Sequence, residues 1–272
     1  MRAVQYRQLA RKVAAILSRT ICPGLVAANL LFSPAYADDL APAPGPGQAE
    51  QSPSLFPSNT EDAPIPPRSP RHADFLAQPA PVAVKKIADW VVDSQNNHSL
   101  PFVVIHKPAA KVFVFDKDGR LKGTASVLVG LAPGDESVPG IGTMPLAAIH
   151  PDMRTTPAGR FVSALGHDLG KVDVLWVDYP DAISLHRVIN VPTERRLERI
   201  VSPVALDHRI SYGCINVPAK FFDTIVDPTF KDTKGIVYIL PEVKATRDVF
   251  PDYYDVDDPS GPPAEIAVSA SR

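Results

Sequence analysis

Arg209-Ile210-Ser211-Tyr212-Gly213-Cys214-Ile215-Asn216 holds the decisive residue of the chain, Cys214. The sequence has two cysteines, and the other, Cys22, lies in a segment that reads as a removable leader. The processed chain therefore keeps one thiol. A lone thiol closes no internal disulfide, and in an oxidising compartment it is a liability unless it has a use. Gly213 directly before it lets a substrate approach the backbone closely. The residues after it read as a helix start, with Asn216 as N-cap and Pro218 in the first turn. A thiol beside a helix N-terminus is drawn towards thiolate, its nucleophilic form. The alternative is a structural core cysteine, which free cysteines often are.

A cysteine nucleophile needs a base that can later protonate a leaving group, and histidine suits both tasks near neutral pH. Among the seven histidines, His186 is the best candidate. It sits in the β-rich run Ile183-Ser184-Leu185-His186-Arg187-Val188. His208 is closer in sequence but lies in a polar stretch. The backbone N–H groups of Tyr212, Gly213 and Cys214 are candidates for holding an oxyanion. Arg187, Arg195, Arg196, Arg199 and Arg209 cluster around these blocks, and arginine forks bind carboxylates. Arg195, Arg196 and Arg199 could equally face solvent on a helix, paired with Glu194 and Glu198. Arg209 and Arg187, with Ser211 and Asn216, are the candidate substrate-binding residues. His150, Asp152, His167 and Asp168 show no recognised ligand spacing, so no metal and no cofactor is expected.

Outward from this region the chain divides into four parts. Residues 1–37 read as a secretory signal: Arg2, Arg7, Arg11, Lys12 and Arg19, a short apolar run, then Ala35-Tyr36-Ala37. Cys22 has no lipoprotein box before it. Residues 38–84 are dominated by Pro, Ala, Ser and Gln, a composition that cannot bury enough apolar surface to order itself, so they read as a disordered linker. Residues 85–245 are the folded domain, and 246–272 an acidic tail that wraps the surface or hangs loose. The full chain carries 28 Lys and Arg against 30 Asp and Glu. Loss of the five basic leader residues leaves 23 against 30, near −7, which argues against a nucleic-acid partner. No stretch beyond the leader is long and apolar enough to span a bilayer.

Within the domain, strand signals dominate. A helix is expected over 85–94, followed by strands at 102–105 and 112–115. A hairpin turn at Asp116-Lys117-Asp118-Gly119 leads into a strand at 124–129. Residues 130–154, rich in Gly and Pro, read as a long functional loop. Further strands are expected at 159–162, 172–176, 182–188 and 236–240. A short helix capped by Thr193 is expected over 193–200. The sum is a mainly β domain with a few short helices.

Ser211-Tyr212-Gly213-Cys214-Ile215-Asn216 resembles the Ser/Thr-His-Gly-Cys-x-Asn signature of the L,D-transpeptidases, the YkuD-type catalytic domain. Thr156-Pro157-Ala158-Gly159-Arg160-Phe161 resembles a second hallmark of that family, Thr-Pro-x-Gly-x-Phe. His186 stands where the family places its upstream histidine, and the three blocks come in the family's order. The resemblance covers about residues 102–240. It implies a β-sandwich-like domain, a periplasmic location and cell-wall chemistry. Cys214 would attack the carbonyl of the third residue of a peptidoglycan stem peptide. An amine would resolve the thioester, giving a 3-3 crosslink or wall attachment. Alternatives are an L,D-carboxypeptidase or crosslink-cleaving amidase, and a non-catalytic wall-binding protein. Two departures stand out. Tyr212 replaces the family's histidine, and its hydroxyl is expected to donate near the oxyanion. The stretch between His186 and Cys214 is also longer than in the family.

Overall fold

The computed structural model describes residues 69–168 and 172–258. The expected leader, residues 38–68 of the expected linker and residues 259–272 of the tail lie outside these. The architecture is mainly β, as expected, with a few short helices. Helix α1 (Val82–Ser94) is followed by β1 (Phe102–His106), β2 (Lys111–Phe115), β3 (Leu121–Ser126) and the short β4 (Val129–Gly130). Then come β5 (Gly159–His167), β6 (Asp173–Asp178), β7 (Ile183–Arg187), helix α2 (Arg196–Arg199), β8 (Arg209–Ser211), β9 (Ile215–Val217) and β10 (Lys234–Ile239).

Eight strands form one sheet in the order β3-β2-β1-β10-β5-β6-β7-β9, and β4 pairs with β8. The β1–β10 and β7–β9 pairs are parallel, and the other neighbours in the large sheet run antiparallel. Strands β1, β2 and β10 are apolar on both faces because both are covered, which explains their unbroken hydrophobic runs. On one face, Val112 and Val114 of β2 share a core with Leu185 of β7 and with Ile215 and Val217 of β9. Strands from opposite ends of the sheet therefore curl over a single core. The curl is sealed where the chain leaves β3: Leu128 and Asn216 exchange two backbone hydrogen bonds of 2.9 Å. The other face carries Phe102, Phe113, Phe115 and Tyr238 under Ile87, Trp90 and Val91 of α1.

The boundaries of the folded unit differ from those expected. Helix α1 begins inside the expected linker, and residues 69–81 pack before it. Asp74 and Arg120 form a β-bridge, and Phe75 meets the edges of Phe113 and Phe115 at 6.3 and 5.3 Å. Composition averaged over 38–84 hides this one aromatic anchor. The start of the expected tail also belongs to the domain. Phe250 is buried in the same cluster, Tyr253 lies 5.8 Å from the Trp90 ring, and Trp90 Nε1 donates to the Asp252 carbonyl. Aromatic burial supplies the contacts that polar composition conceals.

The helix expected over 193–200 is broken. Pro192–Glu194 form a 3-10 turn, Arg195 adopts a left-handed conformation (φ 51°), and α2 follows with no side-chain cap from Thr193. Among the described residues, no helix is long and apolar enough to cross a membrane.

Truncation at Lys85 is expected to destabilise the domain, whereas a chain beginning at Ser69 keeps it intact. Phe75→Ala in the longer chain should cost about 2 kcal/mol, since a half-buried phenyl leaves a partial cavity. Chemical denaturation of the three proteins measures this.

Candidate active site

Parallel pairing of β7 with β9 sets the site. Leu185 lies opposite Ile215, and His186 opposite Asn216. One step back along both strands, the Ser184 hydroxyl donates to Cys214 Sγ at 3.8 Å. Ser184 and His186 share a strand face by the two-residue period. Ser184 was not among the candidate site residues, although that period places it beside His186.

The thiol is half-buried and lines a pocket together with Trp176, Ala182, Ser184, His186, Arg196, Ser211, Tyr212 and Asn216. Burial alone would push its pKa up. A hydrogen bond from His186, the charge that ring can carry and two contacts from Ser184 reverse this, bringing it to about 7 from an ordinary 9.0. The His186 ring is oriented by its far nitrogen: Nδ1 lies 2.8 Å from the Arg187 carbonyl. A carbonyl oxygen can only accept, so Nδ1 carries hydrogen and Nε2 is the free base of the neutral ring. Arg196 Nη1 donates to Asn216 Oδ1 at 3.0 Å. That fixes the amide so that its Nδ2 faces both His186 Nε2 and the Cys214 carbonyl at 3.4 Å.

The two sequence hallmarks meet at one hydrogen bond. Thr156 Oγ1 donates to the Gly213 carbonyl at 2.8 Å and accepts from the Gly130 amide at 2.8 Å. Gly213 has φ +122°, and a Cβ there would stand 2.8 Å from the Thr155 carbonyl oxygen, so only glycine fits. Beneath this staple lies a buried ion pair. Lys107 Nζ donates to Asp135 at 2.7 Å and to the Thr156 carbonyl at 3.0 Å. Burial pushes the Asp135 carboxyl up, but Lys107 and the amides of Glu242, Val243 and Lys244 outweigh it and hold it at about 2.

Several expected roles are corrected. No helix begins at the thiol, because Ile215–Val217 is a strand and the helical segment starts at Ala219. The activation of Cys214 comes from His186 and Ser184 and not from a helix dipole. Asn216 is therefore no N-cap but a fully buried strand residue. The Gly213 amide donates to Ser211 Oγ at 3.1 Å, inside the turn, so it is already engaged. Ser211 in turn donates to the Cys214 carbonyl at 2.6 Å, so it shapes the turn. Arg209 is engaged by Glu242, and Arg187 by Asp223 and the Asp173 carbonyl, so neither guanidinium is left for substrate. His208 is buried between the Val127 and Ser202 carbonyls, 2.8 and 2.9 Å away.

Tyr212 lines the pocket, but no hydrogen bond joins its hydroxyl to the thiol among the described residues. Its ring face is covered by the Arg154 guanidinium, 3.9 Å from the centroid. Trp176 in the pocket wall and Arg154 behind Tyr212 were not singled out from sequence, and Arg196 was only one of a cluster of arginines that could equally face solvent. They arrive from a neighbouring strand, the long loop, and the segment between β7 and β8. No local pattern marks such contacts.

No family model matches the sequence, and no curated protein matches it. Among solved structures, the chain is similar to the helical cell shape determining protein Pgp2 from Campylobacter jejuni. That similarity is 17% identity over 53% of this chain and 49% of that one, with a TM-score of 0.33. It is also similar to the catalytic domain of an E. faecium L,D-transpeptidase, at 13% identity over 52% of this chain and 96% of that one, with a TM-score of 0.30. The chain thus spans about half the length of the Pgp2 structure it matches.

Alkylation of Cys214 by iodoacetamide is expected to titrate with a midpoint near 7. In His186→Gln, burial acts unopposed by the imidazole and the midpoint should rise by two units or more. The thiolate fraction at pH 7 should then fall about fiftyfold or more. An unchanged midpoint would show that the imidazole does not activate the thiol.

Lys107→Met should cost about 3–5 kcal/mol, because it strands buried carboxylates. Asp135 has a folded pKa of about 2, below its ordinary 3.8. Its contribution is therefore present above pH 3.8 and lost as pH falls towards 2. Urea midpoints between pH 7 and 2 should decline over that window in the wild type and decline less in Asp135→Asn.

Proposed function

We propose that the chain is a cysteine acyltransferase of L,D-transpeptidase type that acts on peptidoglycan stem peptides. The observation that carries this reading is the triad of Cys214 Sγ, His186 and the Arg187 carbonyl. It is a thiol of pKa about 7 beside an imidazole whose far nitrogen is held by a main-chain acceptor. The three sequence blocks with family counterparts converge on it, Thr156 through the Gly213 carbonyl and His186 through the strand pairing.

His186 Nε2 takes the thiol proton, and the thiolate attacks the carbonyl of the third stem residue. The tetrahedral intermediate collapses as imidazolium returns the proton to the departing amine of the terminal residue, leaving a thioester. An amine of a second stem then attacks the thioester, loses its proton to His186 and restores the thiol. The N-terminal segment read as a secretory signal would deliver the protein to the periplasm, where this substrate lies.

Incubation of residues 38–272 with disaccharide-tetrapeptide, followed by mass spectrometry, tests the assignment. Release of the terminal residue and a covalent adduct on Cys214 are expected. Cys214→Ala should show neither, and His186→Ala should be slower by a hundredfold or more. His208→Ala loses two buried hydrogen bonds and should lower stability while leaving turnover per folded molecule close to wild type. A larger catalytic loss for His208→Ala than for His186→Ala would overturn the choice of base.

A further inference from the structure

We infer that Arg154, whose guanidinium carbon lies 3.9 Å from the centre of the Tyr212 ring, is a carboxylate receptor at the edge of the thiol pocket that holds a free carboxylate of the acyl donor. The ligand assignment rests on the peptide chemistry proposed above; the receptor itself rests on charge and geometry.

Other arginines around the site are already satisfied. Arg187 pairs with Asp223, Arg195 with Glu198, Arg196 with Glu194 and Arg209 with Glu242. Arg199 donates to the carbonyls of Glu194 and Asp207. Arg154 is half-buried, yet it forms no ion pair among the described residues. Its Nε and one Nη2 hydrogen share the Ile149 carbonyl, at 3.4 and 3.2 Å. The Nη1 end of the guanidinium is left over, with the second hydrogen on Nη2. Those groups form the end-on fork that receives a carboxylate through two parallel bonds.

Tyr212 explains how an unpaired cation is held there. The ring face attracts the guanidinium without using its N–H groups, which lie in the plane of the fork. The ring and the Ile149 carbonyl hold the guanidinium between them, and its Nη1 end makes no hydrogen bond among the described residues. Tyr212 also lines the pocket that holds Cys214, and no Asp or Glu lines that pocket. The pocket lining thus offers no carboxylate to repel an anionic ligand, and Arg154 reaches it through Tyr212. A tyrosine at this position serves as a pedestal through its ring, whatever its hydroxyl does.

Paired alkylating reagents test the receptor without any peptide. Iodoacetate and iodoacetamide attack the same thiolate, so their rate ratio cancels thiol acidity and reports attraction of the carboxylate. Relative to free cysteine, the wild-type chain should favour iodoacetate. In Arg154→Gln the ratio should fall three- to tenfold, and retained alkylation by iodoacetamide with an unchanged circular dichroism spectrum shows that the pocket is intact. Tyr212→Phe keeps the ring and should keep the ratio; Tyr212→Leu should lower it. Added salt should erode the wild-type preference. Equal ratios in the wild type and Arg154→Gln overturn the receptor. With stem peptides, amidation of the donor carboxylate should raise KM in the wild type and have little further effect in Arg154→Gln. A ratio that depends on Arg154 with no reaction of any stem peptide would overturn the proposed function and leave the receptor standing.

Discussion

Everything at the site depends on the parallel register between β7 and β9. A slip of one residue would turn His186 and Ser184 to the opposite face and leave Cys214 facing Leu185. The register is held from three sides. Leu185 and Ile215 are buried in the same core. Leu128 bonds the Asn216 backbone from the other edge of β9. Arg196 holds the Asn216 side chain from the segment between β7 and β8. The geometry around the thiol is thus a by-product of how the sheet closes, and the local hydrogen bonds need supply only fine adjustment.

The buried polar groups beneath the pocket serve the same end. Thr156, Lys107 and Asp135 form a connected series that reaches the loop after β10, because Asp135 accepts the amides of residues 242–244. A half-satisfied network of this kind would be worse than an apolar core. Here the carboxylate, the ammonium and the hydroxyl each have partners. The Gly-Cys turn is therefore anchored to two distant stretches of chain by its carbonyl side, while its side-chain face stays open to the pocket.

Much of this was legible in the sequence, and the pattern of success has a physical basis. Strands β1, β2, β6, β7 and β10 announced themselves through apolar runs, and the nearness of Cys214, His186 and Thr156 followed from motif order. Strand β9 was misread as a helix start because Asn-x-Pro suits an N-cap, whereas pairing with β7 and Leu128 decided otherwise. Arg209 and Arg187 looked available because their acidic partners, Glu242 and Asp223, lie 33 and 36 residues away in sequence. Phe75 was lost in a proline-rich average. Local signals report local preference; long-range pairing chooses among the options they leave.

The seam between Leu128 and Asn216 has a consequence for the life of the protein before it is folded. In an open chain Cys214 is an ordinary thiol, largely protonated at neutral pH and slow to react. Its acidity changes only when β9 docks between β7 and the end of β3, which brings the imidazole alongside. Reactivity is thus switched on by completion of the sheet. A nascent or partly unfolded molecule carries the Cys214 thiol in a quiet form, and the exposure to oxidants and stray electrophiles that a permanent thiolate would suffer is confined to folded molecules.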